Sequence, residues 1–245
     1  MKLTVLGRYA PLPAPGGACS GYLLTRGDTA VLVDGGNGVA SRLIERISLA
    51  DLTAVVVSHL HPDHYSDLHS IRYGVRAAME DGRRKAPLPV YAPNEPALGV
   101  QWLTAEGLID LRSLDPSGLE IGDLQFTFAQ TKHPIPCYAM AVQGGGSRLF
   151  YSADTGASDE VFSLAAGADL ALVEASLRDV DSARRELGHL MAREAASLAR
   201  AAGVKRVLLT HLWPEYDLAG LLAEAREAWP ETELAREGAE YQCCS

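Results

Sequence analysis

The stretch VSHLHPDH, residues 57–64, packs three histidines and an aspartate into six consecutive positions of a chain that holds only seven histidines in 245 residues. An aliphatic run, residues 54–57, leads into it and reads as a buried strand. His59 and His61 are spaced by two, so along an extended segment both side chains project to one side. Pro62 then turns the chain, and Asp63 and His64 open the next helix, where they face a second point. Whatever this chain folds into must bring the end of that strand to a place where imidazoles and carboxylates converge.

Other strands end in the same way. Short aliphatic and β-branched runs at residues 3–6, 22–25, 30–33, 54–57, 89–91, 124–128, 138–142, 148–151, 170–173 and 206–210 read as strands, and helical segments lie between them. His133 follows the run 124–128, Asp154 follows 148–151 and His211 follows 206–210. Four strands thus deliver metal-ligating groups at their C-terminal ends, where open α/β architectures gather their sites. Imidazole and carboxylate suit zinc, and equally manganese or iron, and the absence of cysteine argues against a purely structural zinc. Seven such groups exceed the needs of one tetrahedral ion. Two ions about 3.5 to 4 Å apart, bridged by an aspartate and a hydroxide, would use them all.

The helical segments follow the 3.6-residue period. Leu68, Ile71, Val75, Ala78 and Met79 share one face; Leu190, Glu194, Ala195, Leu198, Ala201 and Ala202 mark a second segment stopped by Gly203; residues 218–229 form a third. Gly144, Gly145 and Gly146 join two strands as a hairpin turn. No linker and no 20–50-residue repeat divides the chain, so one domain over residues 1–245, two sheets with helices outside, is expected.

Composition closes off other classes. With 47% hydrophobic and 22% charged residues the chain is an ordinary globular protein, and no apolar run approaches the roughly 18 to 20 residues of a membrane span. The N-terminal MKLTVLGRYAP has no apolar signal segment, so a cytoplasmic location is expected. Cys19, Cys137, Cys243 and Cys244 show no CxxC spacing and read as incidental. A net charge of −9 disfavours binding along long nucleic acids. The basic run Arg83-Arg84-Lys85 reads as a solvated loop, His69 as a solvated helical histidine and Asp67 as first-turn helix chemistry. The Pro- and Gly-rich segment at residues 11–21 is assigned no role.

HLHPDH resembles the HxHxDH signature of the metallo-β-lactamase fold superfamily, and the resemblance runs on through VLVDGG with Asp34, then His133, YSADTG with Asp154 and LLTHLWP with His211. It implies an αββα sandwich: two mixed β-sheets flanked by helices. It further implies one metal ion held by His59, His61 and His133, a second held by Asp63, His64 and His211, Asp154 bridging both, and Asp34 orienting the site from behind. The aspartate at 154 departs from the zinc β-lactamases, and His61 departs from the HxExDH pattern of the redox di-iron branch.

His189, in GHL at the opening of the second helical segment, resembles the extra histidine of the phosphodiesterase branch, which includes ribonuclease Z. Glu174, in ALVEAS, resembles the carboxylate that orients that histidine. The short interval between His133 and Asp154 leaves no room for the tRNA-clasping arm of ribonuclease Z. The resemblance therefore implies hydrolysis of a small or cyclic phosphodiester, with two divalent ions, zinc expected and manganese or iron as alternatives; a homodimer is expected from the habit of related enzymes. Asp63 would accept a proton from the attacking water and His189 would protonate the departing alkoxide. A lactone or thioester hydrolase of the same fold, or a ribonuclease Z-like RNA endonuclease, is the alternative.

Overall fold

The computed structural model describes residues 1–243, and among them fourteen strands build two seven-stranded sheets. The first sheet begins with β1 (Lys2–Gly7), β2 (Gly21–Arg26) and β3 (Thr29–Val33), paired antiparallel. It continues in parallel through β4 (Ala54–Val56), β5 (Leu88–Ala92) and β6 (Ile109–Ser113). The second sheet repeats the scheme. β7 (Leu119–Ile121), β8 (Leu124–Gln130), β9 (Tyr138–Gly144) and β10 (Ser147–Tyr151) are antiparallel neighbours. β11 (Leu170–Glu174), β12 (Val207–Thr210) and β13 (Glu233–Leu234) follow in parallel. β14 (Glu240–Gln242) returns to the first sheet and pairs with β1.

Alternation along each strand sorts side chains between two layers. Val31 and Val33 of β3 and Val56 of β4 face the other sheet, where Phe126, Met140, Tyr151 and Leu172 meet them in one core. Leu32 and Val55, one position off, turn outward onto Val39, Leu43, Leu68, Ile71 and Val75 of the flanking helices. On the far side Phe150, Ala171, Val173 and Leu209 pack against Val161, Ala195, Ala199 and Leu221. Strands buried on both faces must be apolar at every position, which is why β3, β4 and β12 read as continuous aliphatic runs. The result is the αββα sandwich with two mixed sheets. No helix among the described residues is long and apolar enough to cross a membrane.

Several local expectations are corrected. The hairpin turn is Gly145-Gly146, both at positive φ (62° and 77°), while Gly144 is the last residue of β9 and pairs with Ser147. The second helical segment starts at Ala192, so His189 and Leu190 precede it in an extended stretch bonded to Leu177. Its buried face is Ala192, Ala195, Ala196 and Ala199. His69 is half-buried, edge-on to Trp102 with ring centroids 4.5 Å apart. Asp67 caps a different helix from the one it precedes, accepting a bond from the Ala40 backbone N–H at 2.7 Å. Arg84 is half-buried, and its guanidinium donates to the carbonyls of Leu49, Ala50 and Leu52, whereas Arg83 and Lys85 are exposed. Cys19 and Cys137 are buried, and Cys244 lies outside the described residues.

Candidate metal centre

The site forms where the parallel halves of the two sheets end. Asp34 follows β3, His59 follows β4, Asp154 follows β10, Glu174 closes β11 and His211 follows β12. The loop after β8 brings His133, and the turn Pro62–Tyr65, with His61 at its N-terminal boundary, brings Asp63 and His64. Asp34, Ala153 and His211 take positive φ (56°, 49° and 57°), so the backbone is strained at three points where it turns into the site. All seven predicted ligands meet there. Ligand atoms of His59, His61, His133 and Asp154 lie within 4.8 Å of one another, and so do those of Asp63, His64 and His211.

Asp154, a member of the first group, also faces two residues of the second. Its Oδ2 is 3.5 Å from His59 Nε2, while its Oδ1 is 3.1 Å from His211 Nε2 and 3.3 Å from His64 Nε2. Oδ1 is buried and accepts no well-directed hydrogen bond. His61 Nδ1 is 3.1 Å from both His59 Nε2 and His133 Nε2, and a single proton on His61 can serve only one of them. Nitrogen lone pairs and carboxylate oxygens this close, with too few protons between them, suit divalent cations.

Partners behind the rings set which nitrogen faces inward. Asp34 is fully buried; its Oδ2 accepts from His64 Nδ1 at 2.8 Å, Tyr151 Oη at 2.8 Å and Ser58 Oγ at 2.9 Å. Ser58 Oγ, having donated to Asp34, accepts from His59 Nδ1 at 3.1 Å. The second sheet repeats the device. Glu174 Oε1 accepts from His189 Nδ1 at 2.9 Å, and its Oε2 accepts from Ser176 Oγ at 2.7 Å. Ser176 Oγ in turn accepts from His211 Nδ1 at 2.7 Å. Each buried carboxylate thus aims one histidine directly and a second through a serine. Ser58 and Ser176 escaped sequence reasoning, and their only signal is adjacency to Asp- or Glu-organised ligands in VSH and VEAS.

Protonation follows from burial and charge. Burial lowers the pKa of His59, His61 and His133, which keeps their lone pairs available. Burial acts the same way on His64, but Asp154, Asp63 and Asp34 outweigh it and hold a proton there, in the place a cation would take. Burial alone would raise the Asp154 carboxyl, yet His211, His64 and His59 hold it well below the usual carboxylate range. For His189, burial is again outweighed, here by Glu174 and then by Asp154 and Asp63, and its pKa is pushed up to about 9. His189 also lies within reach of Asp154 and His211, but a protonated ring tied to Glu174 is a poor ligand.

The pair Gly35-Gly36 explains the VDGG segment. Gly35 N–H donates to His64 O at 2.6 Å, and a Cβ on Gly36 would lie 1.9 Å from the backbone oxygen of Asp63. Gly36→Ala therefore displaces the turn that carries Asp63 and His64. The expected outcome is at least about tenfold weaker binding of divalent ions, read by competition with a chromogenic chelator.

Beside these residues opens a cavity of about 410 Å³. Its lining combines the polar His61, Asp63, Asp154, His189 and His211 with Pro11, Leu177, Leu187, Trp213 and Tyr216. The segment at residues 11–21 therefore borders the cleft through Pro11.

The chain belongs to the Beta-lactamase superfamily domain family, whose pattern it matches over residues 29–212. It is a metallo-hydrolase of the metallo-β-lactamase fold, with a His/Asp cluster suited to divalent metal ions. It is 34% identical over 213 residues to the probable metallo-hydrolase YhfI of Bacillus subtilis, covering 86% of this chain and 87% of that one. The crystal structure of the B. subtilis metallo-β-lactamase fold protein YhfI superposes with a TM-score of 0.93 at 32% identity, covering 98% of each chain. Ribonuclease Z of Methanothermobacter thermautotrophicus is 25% identical over 293 aligned positions, covering 96% of this chain and 94% of that one. Human tRNase Z, short form, shares the fold with a TM-score of 0.79 at 21% identity, and each chain is covered in full.

Proposed function

We propose that the chain is a binuclear metal-dependent phosphodiesterase that cleaves small or cyclic phosphodiesters, with zinc as its ion. In this reading His59, His61 and His133 would hold one ion, Asp63, His64 and His211 would hold the other, and Asp154, whose carboxylate faces both groups, would contribute to each. When bound, the ions supply Lewis-acid charge for the phosphoryl oxygens and a water acidic enough to attack near neutral pH. Asp63, which lines the cavity and is kept anionic by His64 and His211 against the effect of burial, would serve as the proton acceptor for an attacking water.

The observation that carries the phosphodiester reading is His189. Its ring centroid is 5.4 Å from those of both His133 and His211, and it lines the cavity. With Nδ1 committed to Glu174, Nε2–H is left for the substrate. An alkoxide leaving phosphorus is a strong base and needs that proton, and the imidazolium also complements phosphate charge. The interval from His133 to Asp154 is occupied by the β9–β10 hairpin, and the cavity is of single-ligand size, which supports a small substrate over a folded tRNA.

The test is a substrate panel on protein loaded with two equivalents of zinc or manganese. Turnover of bis(p-nitrophenyl) phosphate or of 2′,3′- or 3′,5′-cyclic nucleotides is expected. Turnover of thioesters or lactones with no diester cleaved would replace this reading by a carbonyl hydrolase. A second expectation concerns pH. His189 acts in its protonated form, so activity falls as pH rises through its pKa, which Glu174 raises. Glu174→Gln therefore moves the basic limb of the pH–rate profile to lower pH, by about one unit or more.

A further inference from the structure

Beyond the metal ligands, the cleft is lined by residues that the hydrolytic step does not use. Trp213 and Tyr216 are two of them, 6.5 Å apart between ring centroids, immediately after the β12 loop that carries His211. Tyr216 is fixed by a 2.5 Å bond from its hydroxyl to Asp181 Oδ2. The run Asp179–Leu187, which carries Asp181, contributes Leu187 and Arg184 to the same lining. Arg184 is the only arginine or lysine among the described residues that line the cavity. Its neighbours Arg178, Arg185 and Arg193 are all ion-paired, to Glu224, Glu194 and Asp179, whereas among the described residues no hydrogen bond or ion pair engages the Arg184 side chain. It lies near enough to Tyr216 to act on its hydroxyl electrostatically.

A guanidinium and two aromatic rings, one of them anchored, lining the same cavity as the His/Asp cluster can hold a flat, electron-rich ring. Aromatic side chains stack on any nucleobase, and arginine adds a cation–π contact to its other face. At about 410 Å³ the cavity is at the small end of ligand pockets, room for one nucleotide and not for a run of them. We propose that Trp213, Tyr216, Leu187 and Arg184 form a base subsite that selects mononucleotide phosphodiesters over diesters lacking a heteroaromatic group. This rests on the phosphodiesterase reading: the reacting phosphate lies at the His/Asp cluster while the base occupies the subsite.

The experiment compares kcat/KM of the zinc-loaded full chain for adenosine 2′,3′- and 3′,5′-cyclic monophosphates with those for the ring-matched base-free diesters, the cyclic phosphates of glycerol and of propane-1,3-diol. The expected preference for the nucleotide is roughly tenfold or more, and Trp213→Ala removes about tenfold of it through KM. Trp213→Phe keeps most of the preference. Arg184→Ala lowers it too, and because that side chain is exposed and unpaired it serves even if Trp213→Ala does not fold. A wild-type ratio near one, or a ratio unmoved by either alanine variant, overturns the base subsite while leaving the phosphodiesterase intact. So does an enzyme that cleaves bis(p-nitrophenyl) phosphate but neither cyclic nucleotide. No turnover of any diester overturns the underlying reading and the subsite with it.

Discussion

Asp154→Ala is expected to retain neither of the two proposed divalent ions and to lower the proposed phosphodiester turnover at least about a thousandfold. The carboxylate is 2% exposed, and its two oxygens divide between the two ligand groups, Oδ2 toward His59 and Oδ1 toward His64 and His211. No other described side chain faces both groups in this way, so its loss removes a ligand and a negative charge from each at once. Elemental analysis after gel filtration, beside kcat at saturating substrate, measures both effects. Asp154→Asn keeps the shape but not the charge and is expected to lose metal as well, though less completely. Two ions retained at full occupancy by the alanine variant would contradict the bridging role.

His189→Ala is expected to separate chemistry from metal binding. Both ions stay, because His189 is committed to Glu174 and the three histidines of the first group are untouched. Turnover of cyclic nucleotides, whose leaving group is an alkoxide, falls by about 10² to 10⁴. With bis(p-nitrophenyl) phosphate the leaving phenolate is a weak base and needs little proton assistance, so the loss is much smaller. The leaving-group dependence is the diagnostic readout, since a merely structural role for His189 would slow both substrates alike. Equal losses on the two substrates, or loss of metal, would contradict proton donation.

The convergence of the seven His and Asp side chains was legible in the sequence because its chemistry is dense and its strands are simple. β3, β4, β11 and β12 are covered on both faces, so they appear as unbroken aliphatic runs, and the polar residue that follows each run marks the site edge. The edge strands were not legible. β6 (IDLRS) and β14 (EYQ) place charged or polar residues on exposed positions, and β13 is two residues long, so none carries an aliphatic signal.

The placement of His189 failed for a different reason. The residues after it have helical period, but Gly188 sits at φ 81° and Leu190 and Met191 pair with Leu177, a long-range contact that local periodicity cannot report. Asp67 on Ala40, Arg84 on the carbonyls of Leu49 to Leu52 and His69 on Trp102 are likewise contacts between segments distant in the chain. The serine relays belong to the same class: Ser176 is recognisable only once Glu174 and His211 are neighbours. Trp213 and Tyr216 sit in a loop with no period at all, so their shared place in the cavity lining emerges only from the fold.

The most direct test is an anomalous diffraction map of the zinc-loaded protein, collected at the zinc edge. The account predicts two peaks about 3.5 to 4 Å apart on either side of Asp154, one among His59, His61 and His133 and the other among Asp63, His64 and His211. A single peak, or zinc bound away from Asp154, would contradict it.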